Sequence, residues 1–456
     1  MARHHQHIGR RGLLAAAAVA IGAVLAPVAA QAAPAASAAP PVEAAGTSGV
    51  VRALDRAAHP LRSTEPGRGT ADLRALGAMI GDAKVVGLGE ATHGSHEFFA
   101  MKERVFRHLV EEKGFTTFAL ELSWSAGLRI DDYLQTGRGG DARSVAKAAL
   151  ADSPWDREEF VSLIEWMRDY NRHHPDRTVH FMGDDIGAPS LDDAFFARIT
   201  DYVRRTDPQA LARLDAFYTG LRPIDDVFAY LGRPLAERRR LAAQAQQALD
   251  LVGGLRGSDP EAAAWAEQNA RSVAQTATFL SLDPGDATTL PEFERFRDEV
   301  MAQNVIWWQR RTGGKVLLSA HNDHVGRLAG DPALYPRTQG AYLNDTMGRD
   351  YLPVGFTFYQ GSLLSKDAAL GGPWKTFTAG PPTSDLSEYT LDQVRYRDFY
   401  LDVRTAPAAA RAWLSGTRPV RTYGTQYPYP PGNVALGTSF DVLVHLHDIR
   451  EADRTP

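Results

Sequence analysis

The chain has 456 residues, a formal net charge of -5 at pH 7, 44% hydrophobic residues and no cysteine. This length is enough to bury a large core, and the lack of cysteine excludes disulfides, a thiol nucleophile and thiolate metal ligands. The mildly acidic balance argues against nucleic acid or an anionic membrane as the main partner.

The N-terminal residues have the pattern of an export signal. Arg10 and Arg11 precede an uncharged run over residues 13–30, and an Ala-Gln-Ala cleavage site ends at Ala32. Paired arginines fit the twin-arginine route, although a Sec signal can also contain them. We predict a signal peptide at residues 1–32 and a secreted protein, with an uncleaved anchor as the alternative.

Residues 33–52 are predicted to be a disordered linker, because a stretch dominated by Ala, Pro, Ser and Gly buries little apolar surface. After it, short apolar segments alternate with helical periodicity. The predicted strands are 84–89, 116–120, 178–182, 315–319 and 353–358, with helices at 95–112 and 291–311 among the connections. Two further segments, 399–403 and 441–447, alternate in the way of half-exposed strands.

The middle of the chain has a different pattern. Residues 191–289 are rich in Ala, Arg, Gln and Leu, are interrupted by prolines and contain no convincing strand. We predict an all-helical insertion that forms a cap or lid over the cleft, or alternatively a plain layer over one face of the sheet. Residues 53–190 and 290–450 then form an α/β catalytic domain with a mostly parallel central sheet flanked by helices.

Charged and imidazole side chains follow three of the predicted strands. Glu90 and His93 come after the first, Glu121 closes the second, and His321 follows the fourth. The carboxyl ends of parallel strands meet at one edge of a sheet, where ligands and catalytic groups lie. His93 can accept a proton from water, and Glu121 can orient an imidazole or pair with a cation.

Other polar residues lie near the same edge. Arg297 follows Phe296 on the flank of an apolar helical stripe, from which it can reach inward to carboxylates or bind an anionic intermediate. His324, three residues after His321, and Asp185, at the end of the third strand, are weaker candidates.

Several other chemistries lack their motif. There is no Gly-x-Ser-x-Gly elbow and no phosphate-binding glycine motif after a strand, so serine-hydrolase and nucleotide-cofactor functions have little support. Metal is harder to exclude, because His93 with His96 and Glu97, or His321 with His324, could supply ligands. We predict no required cofactor and no metal.

The stretch Val86-Gly-Leu-Gly-Glu-Ala-Thr-His-Gly-Ser-His-Glu-Phe resembles the opening motif of the erythromycin esterase family. Further motifs occur in the family's order between roughly residues 54 and 447: Lys102, Glu121, Trp155 ahead of Glu158-Glu159, Arg297-Asp298, Ala320-His321-Asn322 and the closing Phe440-Asp441 strand.

The resemblance implies a metal-independent hydrolase that opens a macrolactone ester without a covalent enzyme intermediate, on an α/β scaffold with a helical part of the cleft. By position, the catalytic histidine of the family falls on His93, its acidic partners on Glu90 and Glu121, and its later arginine and histidine on Arg297 and His321. The residues expected to contact substrate are Lys102, Trp155, Asp185, Asn322 and His324. Resistance enzymes of the family are typically cytoplasmic, so an export signal points to another ester or to detoxification outside the membrane.

The sequence therefore predicts a secreted carboxylic ester hydrolase. In this prediction His93, oriented by Glu121 or Glu90, activates water, while Arg297 and His321 stabilise the oxyanion; the two histidines could exchange roles. The expected partner is a small-molecule ester, such as a macrolide or another polyketide. A metal-dependent hydrolase, an acyltransferase and a non-catalytic small-molecule binder are the alternatives.

Overall fold

Strands and helices alternate through most of the described chain, which covers residues 43–187, 189–283, 286 and 288–456 of the computed structural model. The strands are β1 (His59–Pro60), β2 (Val85–Leu88), β3 (Phe115–Ser123), β4 (His180–Asp185), β5 (Lys315–Ser319), β6 (Tyr351–Asp367), β7 (Gly371–Ala379), β8 (Phe399–Asp402), β9 (Arg418–Val420), β10 (Gln426–Tyr427), β11 (Gly432–Val434) and β12 (Val442–Ile449). The α-helices are Glu43–Ala57, Arg74–Ile80, His96–Lys113, Trp124–Thr136, Ala142–Leu150, Glu158–His173, Asp193–Thr206, Leu211–Tyr218, Val227–Leu231, Leu235–Gly254, Pro260–Phe279, Leu290–Thr312, Asn322–Val325, Gln339–Met347, Ser387–Leu391, Ala408–Leu414 and Leu436–Ser439. Short 3-10 helices lie at Ala71–Leu73, Pro208–Ala210 and Gly348–Asp350.

One mixed sheet organises the fold. Within the described residues its strand order is β1-β8-β12-β6-β2-β5-β3-β4, and β7 and β10 also pair with β6. The pairs β1/β8, β8/β12 and β6/β7 are antiparallel, and the other pairs of this sheet are parallel. The predicted fold class, an α/β protein with a mostly parallel central sheet flanked by helices, is confirmed.

The strand order brings distant parts of the chain to one edge of the sheet. β5 lies between β2 and β3, so Val316 is in register with Val85 on one side and Thr117 on the other. β2 is entirely buried, and β5 is buried after its first residue, as expected for strands covered on both faces. The segments that leave β2, β5, β3 and β4 therefore emerge side by side, and the chain reverses its order here, which is where α/β proteins bind ligands.

The helical middle of the chain packs onto this sheet unit through tryptophans. Every regular element between Asp193 and Phe279 in the described residues is helical. The helix Pro260–Phe279 brings Trp265 against a cluster of Trp124, Trp307 and Trp308, with ring centroids between 4.9 and 6.3 Å from that of Trp265. Asn269 also accepts a hydrogen bond from the Trp124 indole at 3.0 Å. Aromatic edge-to-face packing and this buried bond fix the helix against the unit that carries the site.

The prediction of a disordered linker is wrong for residues 43–52. Residues 43–52 belong to the helix Glu43–Ala57, in which Ala53 and Leu54 are fully buried, and the Asp55 carboxylate accepts a hydrogen bond from the backbone of Arg395. The composition of the segment suggested disorder, but its apolar positions pack against the C-terminal part of the chain, and that contact depends on distant residues. The predicted signal peptide and residues 33–42 lie outside the described residues.

Several predicted strand boundaries also differ. β3 continues two residues past Glu121, so this glutamate lies inside the strand and does not close it. β6 has 17 residues, and β7, which the sequence did not predict, pairs with its second half as a hairpin. β8 is buried along its length and β12 along most of it, because the two strands pair inside the sheet and are not half-exposed.

No helix in the described parts of the chain is long and apolar enough to cross a membrane.

The C-terminal segment ties two loops of the site together. The backbone of Ala452 donates to the carbonyl of Gly94, next to His93, and the backbone of Glu158 donates to the carbonyl of Asp453. Beneath this segment His96 contacts Glu159 at 2.6 Å through Nδ1 and Glu65 at 2.9 Å through Nε2. Burial lowers the pKa of His96, but the hydrogen bonds to the two carboxylates outweigh burial and raise this pKa to about 9.

The pairing of His96 with Glu159 and Glu65 predicts a loss of stability at alkaline pH. Because the pKa of His96 is higher in the folded state than its ordinary value of 6.5, its contribution is complete below about pH 6.5 and disappears as pH rises through about 9. We expect Tm to fall less across this pH window in His96→Gln than in wild type, by about 2 °C or more. Thermal unfolding at a series of pH values measures it. The same substitution at exposed His173 should leave the slope unchanged, and equal slopes in wild type and His96→Gln would refute the assignment.

Candidate active site

His93 lies in the turn between β2 and its helix, with its two ring nitrogens in different surroundings. Nδ1 is 2.5 Å from Oε1 of Glu90, so Nδ1 carries a proton that it donates to this carboxylate. The other oxygen of Glu90 accepts from the ammonium of Lys102. Burial raises the pKa of Glu90, but Lys102 and His93 outweigh burial and lower this pKa below its ordinary value. Glu90 is therefore an ionised carboxylate that orients the imidazole.

The Nε2 atom of His93 faces the space between the strand ends. It lies 3.9 Å from Oε1 of Glu121. The ring of Trp155 stands edge-on to the imidazole at 5.6 Å between centroids, and the ring of His321 is 5.1 Å away. Among the described residues, no Ser, Thr or Tyr hydroxyl hydrogen-bonds to this imidazole. The available lone pair of Nε2 can therefore serve as a base toward a group that enters from outside.

His321 presents a hydrogen-bond donor to the same space. Its Nδ1 accepts from the backbone N–H of Asp323 at 3.3 Å, which caps the short helix Asn322–Val325 and leaves the ring proton on Nε2. Nε2 is buried and has no partner in the described residues. Burial lowers the pKa of His321 to about 4, although Asp323 and the other nearby carboxylates oppose this. His321 is thus a neutral imidazole with an unused N–H.

Glu121 connects these two histidines to the next strands. Its register with β4 is irregular between Leu120 and Ser123, and such a bulge re-aims side chains. Oε2 accepts from the backbone N–H of His321 at 2.9 Å, and Oε1 accepts from Arg297 at 2.9 Å. Burial raises the pKa of Glu121, but neighbouring His324, His93 and Arg297 outweigh burial and hold this pKa well below its ordinary range.

Arg297 lies between two carboxylates. Its Nε is 3.0 Å from Oδ1 of Asp185, its Nη2 is 2.5 Å from Oδ2 of the same residue, and Nη2 also reaches Glu121. Burial lowers the pKa of Arg297, but Asp185 and Glu121 raise it well above its ordinary value. Its Nη1 points toward Nε2 of His324, 3.2 Å away.

His324 forms the second half of this charged cluster. Nδ1 contacts Oδ1 of Asp298 at 2.8 Å, and Nε2 lies 3.4 Å from Glu121. Burial lowers the pKa of His324, but Asp298 and Glu121 raise it well above its ordinary value. His324 is therefore a buried imidazolium and a poor candidate for a base.

The structure thus brings the predicted residues together in different roles. His93, Glu90, Glu121, His321, Arg297, Asp185, His324 and Trp155 converge at one end of the sheet. Lys102 was predicted to contact substrate, but it is 1% exposed and paired with Glu90. Asn322 was predicted likewise, but both ends of its amide bond the backbone of Phe356, at 2.7 and 3.1 Å.

The position of Asn322 also explains why residue 89 is a glycine. Its Oδ1 would lie 2.1 Å from a Cβ placed on Gly89, so only glycine allows this approach to the end of β2.

Four polar residues behind the site were not among the predicted site residues, although Asp298 belongs to one of the family motifs. Asp298 supports His324 and accepts from the backbone of Gln339, whose amide donates to Asp184 at 2.6 Å. Glu294, one turn before Arg297, is 5% exposed. Burial and the charge of Asp185 raise the pKa of Asp184 well above its ordinary value. Asp184 adjoins Asp185, Asp298 adjoins Arg297, and Glu294 lies three residues before Arg297 on the same helix, so position relative to the predicted residues was the available signal.

The possible metal ligands do not combine as the sequence suggested. His93 is paired with Glu90, whereas His96 is paired with Glu159 and Glu65. Within the described residues, one group of His, Asp and Glu side chains has ligand atoms close enough for an ion: His96, Glu159 and Asp453. Its ligand atoms already contact one another, and Arg450 holds Asp453 through two hydrogen bonds.

An α/β sheet whose strand ends present a carboxylate-oriented imidazole, a neutral imidazole donor and ionised carboxylates is the framework of a hydrolytic enzyme. The sequence profile of the erythromycin esterase family matches residues 110–449. The chain belongs to this family, and its function is that of a hydrolase of the erythromycin esterase type. Glu90 and His93 precede the matched residues.

Individual relatives agree with this placement. Erythromycin esterase type II of Escherichia coli is 26% identical over 333 residues, which are 66% of this chain and 75% of that protein. A succinoglycan biosynthesis protein of known crystal structure is 30% identical in sequence and superimposes with a TM-score of 0.79. The match covers 90% of this chain and 99% of that protein's chain. The erythromycin esterase EreC, a mutant in its open conformation, shares the fold with a TM-score of 0.65 at 17% identity, over 85% of this chain and 96% of that one.

Proposed function

We propose that this protein hydrolyses carboxylic esters, with His93 as the general base that activates water. The observation that carries the proposal is the 2.5 Å contact between Nδ1 of His93 and Glu90, which in the neutral imidazole places the lone pair on Nε2, toward the cleft. A hydroxyl nucleophile on the protein would need to contact this imidazole, and none does so in the described residues. Direct attack by water follows from this arrangement.

The nucleophilic water is proposed to lie between His93 and Glu121. Nε2 and Oε1 are 3.9 Å apart, and both accept hydrogen bonds, so one water can donate a hydrogen to each. Arg297 and His324 keep Glu121 ionised in this position. When the water attacks the ester carbonyl, its proton moves to Nε2 of His93 while the carbonyl oxygen gains the negative charge.

His321 is proposed to donate its Nε2–H to that oxyanion. The donor is already desolvated and unpaired, so the developing charge gains a hydrogen bond without reorganisation of the site. Collapse of the tetrahedral intermediate breaks the bond to the alcohol oxygen, and the His93 imidazolium returns its proton to the leaving alkoxide. Arg297 was predicted to share the oxyanion, but its Nε and Nη2 are occupied by Asp185 and Glu121, so we assign it to positioning Glu121.

We expect His321→Ala to lower kcat by about 10²- to 10³-fold with a small change in KM, because an oxyanion donor acts mainly in the transition state. Steady-state kinetics on the best ester measures both constants. His173→Ala, at an exposed histidine, is the control. A rise in KM with unchanged kcat would instead make His321 a substrate-binding group.

The substrate is proposed to be a macrolactone or a similar ester that the protein meets after export through its N-terminal signal. The similarity to erythromycin esterase type II supports a macrolide. The similarity to a succinoglycan biosynthesis protein favours a second candidate, an acyl ester on a polysaccharide.

Mass spectrometry tests the reaction and the substrate together. Macrolides, simple alkyl and aryl esters and an acylated polysaccharide are incubated with the protein lacking its signal, with and without a chelator. Gain of the mass of one water on a macrolide, or release of a free acid from another ester, supports hydrolysis. Loss of the activity with chelator and recovery with zinc would replace the proposed mechanism by a metal-dependent one.

A further inference from the structure

Glu294 is a buried carboxyl group without a hydrogen-bond partner in the described residues. Its Oε2 atom is fully enclosed, and the nearest cation, Nη1 of Arg297, is 3.8 Å away, too far for a hydrogen bond. Burial raises the pKa of Glu294 to about 7, although Arg297 opposes this rise. Buried polar groups in folded proteins are nearly always paired, so an unpaired carboxyl beside an active site requires an explanation.

Glu294 adjoins the cluster that supports the base. It lies on the helix Leu290–Thr312, one turn before Arg297. Tyr335 stands edge-on to His324 at 5.9 Å, and its hydroxyl makes no hydrogen bond in the described residues. Burial, followed by the negative charge of Glu294, raises the pKa of Tyr335 well above its ordinary value. The phenol ring of Tyr335 and the carboxyl group of Glu294 therefore both adjoin the charged cluster.

The charges of this cluster do not balance. It contains two cations, Arg297 and His324, and four carboxyl groups: Glu121, Asp185, Asp298 and Glu294. Arg297 directs its best hydrogen bonds to Asp185 and Glu121, and His324 directs its own to Asp298. Glu294 is the carboxyl group left without a direct partner. A cation supplied from outside would give Glu294 a direct partner and reduce the excess of carboxyl groups, whereas an anion would be repelled.

We propose that Glu294, with the hydroxyl of Tyr335, forms a subsite that binds a protonated amino group of the substrate. The inference rests on the proposed ester hydrolysis only in assigning this amino group to an ester. An ammonium donates several hydrogen bonds, and both the carboxylate and the phenolic oxygen accept them. The subsite therefore selects aminated esters over neutral ones and strongly disfavours esters that carry a carboxylate.

The test uses four butyl acetates that differ at the end of the alcohol chain, which carries an ammonium, a hydroxyl, a methyl or a carboxylate group. We expect the wild type to show a kcat/KM for the ammonium ester about tenfold or more above that for the hydroxyl ester, and Glu294→Gln to remove this preference. Glu292→Gln removes the same charge from an exposed position of the same helix and should keep the preference for the ammonium ester. The Tm of Glu294→Gln should equal or exceed that of wild type, because the carboxyl has no partner to lose, whereas a structural role would lower it.

A binding measurement separates this inference from the ester hydrolysis. Saturation-transfer NMR with n-butylammonium, butanol and butyrate should detect the ammonium alone, and Glu294→Gln should abolish its signal. If no ester is hydrolysed but ammonium binding disappears with Glu294→Gln, the subsite stands and the proposed function fails. If esters are hydrolysed with equal selectivity by wild type and Glu294→Gln, or if wild type does not bind the ammonium probe, the subsite is refuted.

Discussion

Replacing His93 by alanine is expected to lower kcat/KM for the best ester by about 10²- to 10⁴-fold, the range for loss of a general base. The imidazole is the group whose free nitrogen faces the cleft, while Glu90 fixes its other nitrogen at 2.5 Å. Its neighbour Glu121 is already occupied by Arg297 and by the backbone of His321, so it cannot take over the role fully. Initial rates by pH-stat titration measure the loss.

The control for this experiment is His173→Ala, which removes an exposed imidazole from the end of a helix and should leave the rate unchanged. Circular dichroism and Tm of each variant show that the fold persists. Activity above about a tenth of wild type in His93→Ala, together with a complete loss in His321→Ala, would exchange the two assignments and make His321 the base. Loss of substrate binding without loss of kcat would refute both.

The convergence of the site could be predicted from sequence because it depends on strand ends. Glu90, Asp185 and His321 each stand within two residues of the end of a parallel strand, and such ends share one edge whatever the order of the strands. The order itself, with β5 between β2 and β3, was beyond local patterns, because it depends on how the helical middle of the chain returns to the sheet. The family motifs identified Glu90 and His321 independently.

The partners of these residues could not be predicted in the same way. Sequence left open whether Glu90 or Glu121 orients His93, since the choice depends on where each side chain points. In the structure Oε1 of Glu90 is 2.5 Å from Nδ1 of His93, whereas Oε1 of Glu121 is 3.9 Å from Nε2. Arg297 was expected to bind an oxyanion or carboxylates, and only the register of distant elements brings Asp185 against it. An ion pair across 112 residues leaves no periodic trace in a single sequence.

Burial explains the remaining differences. Lys102 occupies a helix whose charged residues would ordinarily face solvent, so its place beside Glu90 is evident only once β2 and the helix His96–Lys113 pack together. The same reasoning applies to the helix Glu43–Ala57, where Leu54 is buried and Asp55 accepts a hydrogen bond from the backbone of Arg395, 340 positions away. A pattern shows which residues can be buried, whereas tertiary contacts decide which polar residues are buried with them.

Replacing Lys102 by methionine is expected to lower the free energy of unfolding by about 3–5 kcal/mol, because removal of one member of a buried ion pair leaves the other charge uncompensated. Both side chains are enclosed, with Lys102 1% and Glu90 0% exposed. Methionine keeps most of the volume of the lysine chain, so the loss reports the charge and not a cavity. Urea unfolding measures it, and Lys147→Met, at an exposed lysine, should change stability by less than about 0.5 kcal/mol.

The double variant Lys102→Met with Glu90→Gln separates folding from catalysis. Removing both charges should recover most of the lost stability, because neither buried charge is then left alone. Hydrolysis should stay low, since an amide is a weaker acceptor than the carboxylate that holds Nδ1 of His93 and stabilises the imidazolium. Recovery of stability with activity still lost would show that the Glu90 charge serves the base and that Lys102 keeps this charge ionised inside the protein. Full recovery of activity in the double variant would contradict the orienting role of Glu90 and transfer it to Glu121.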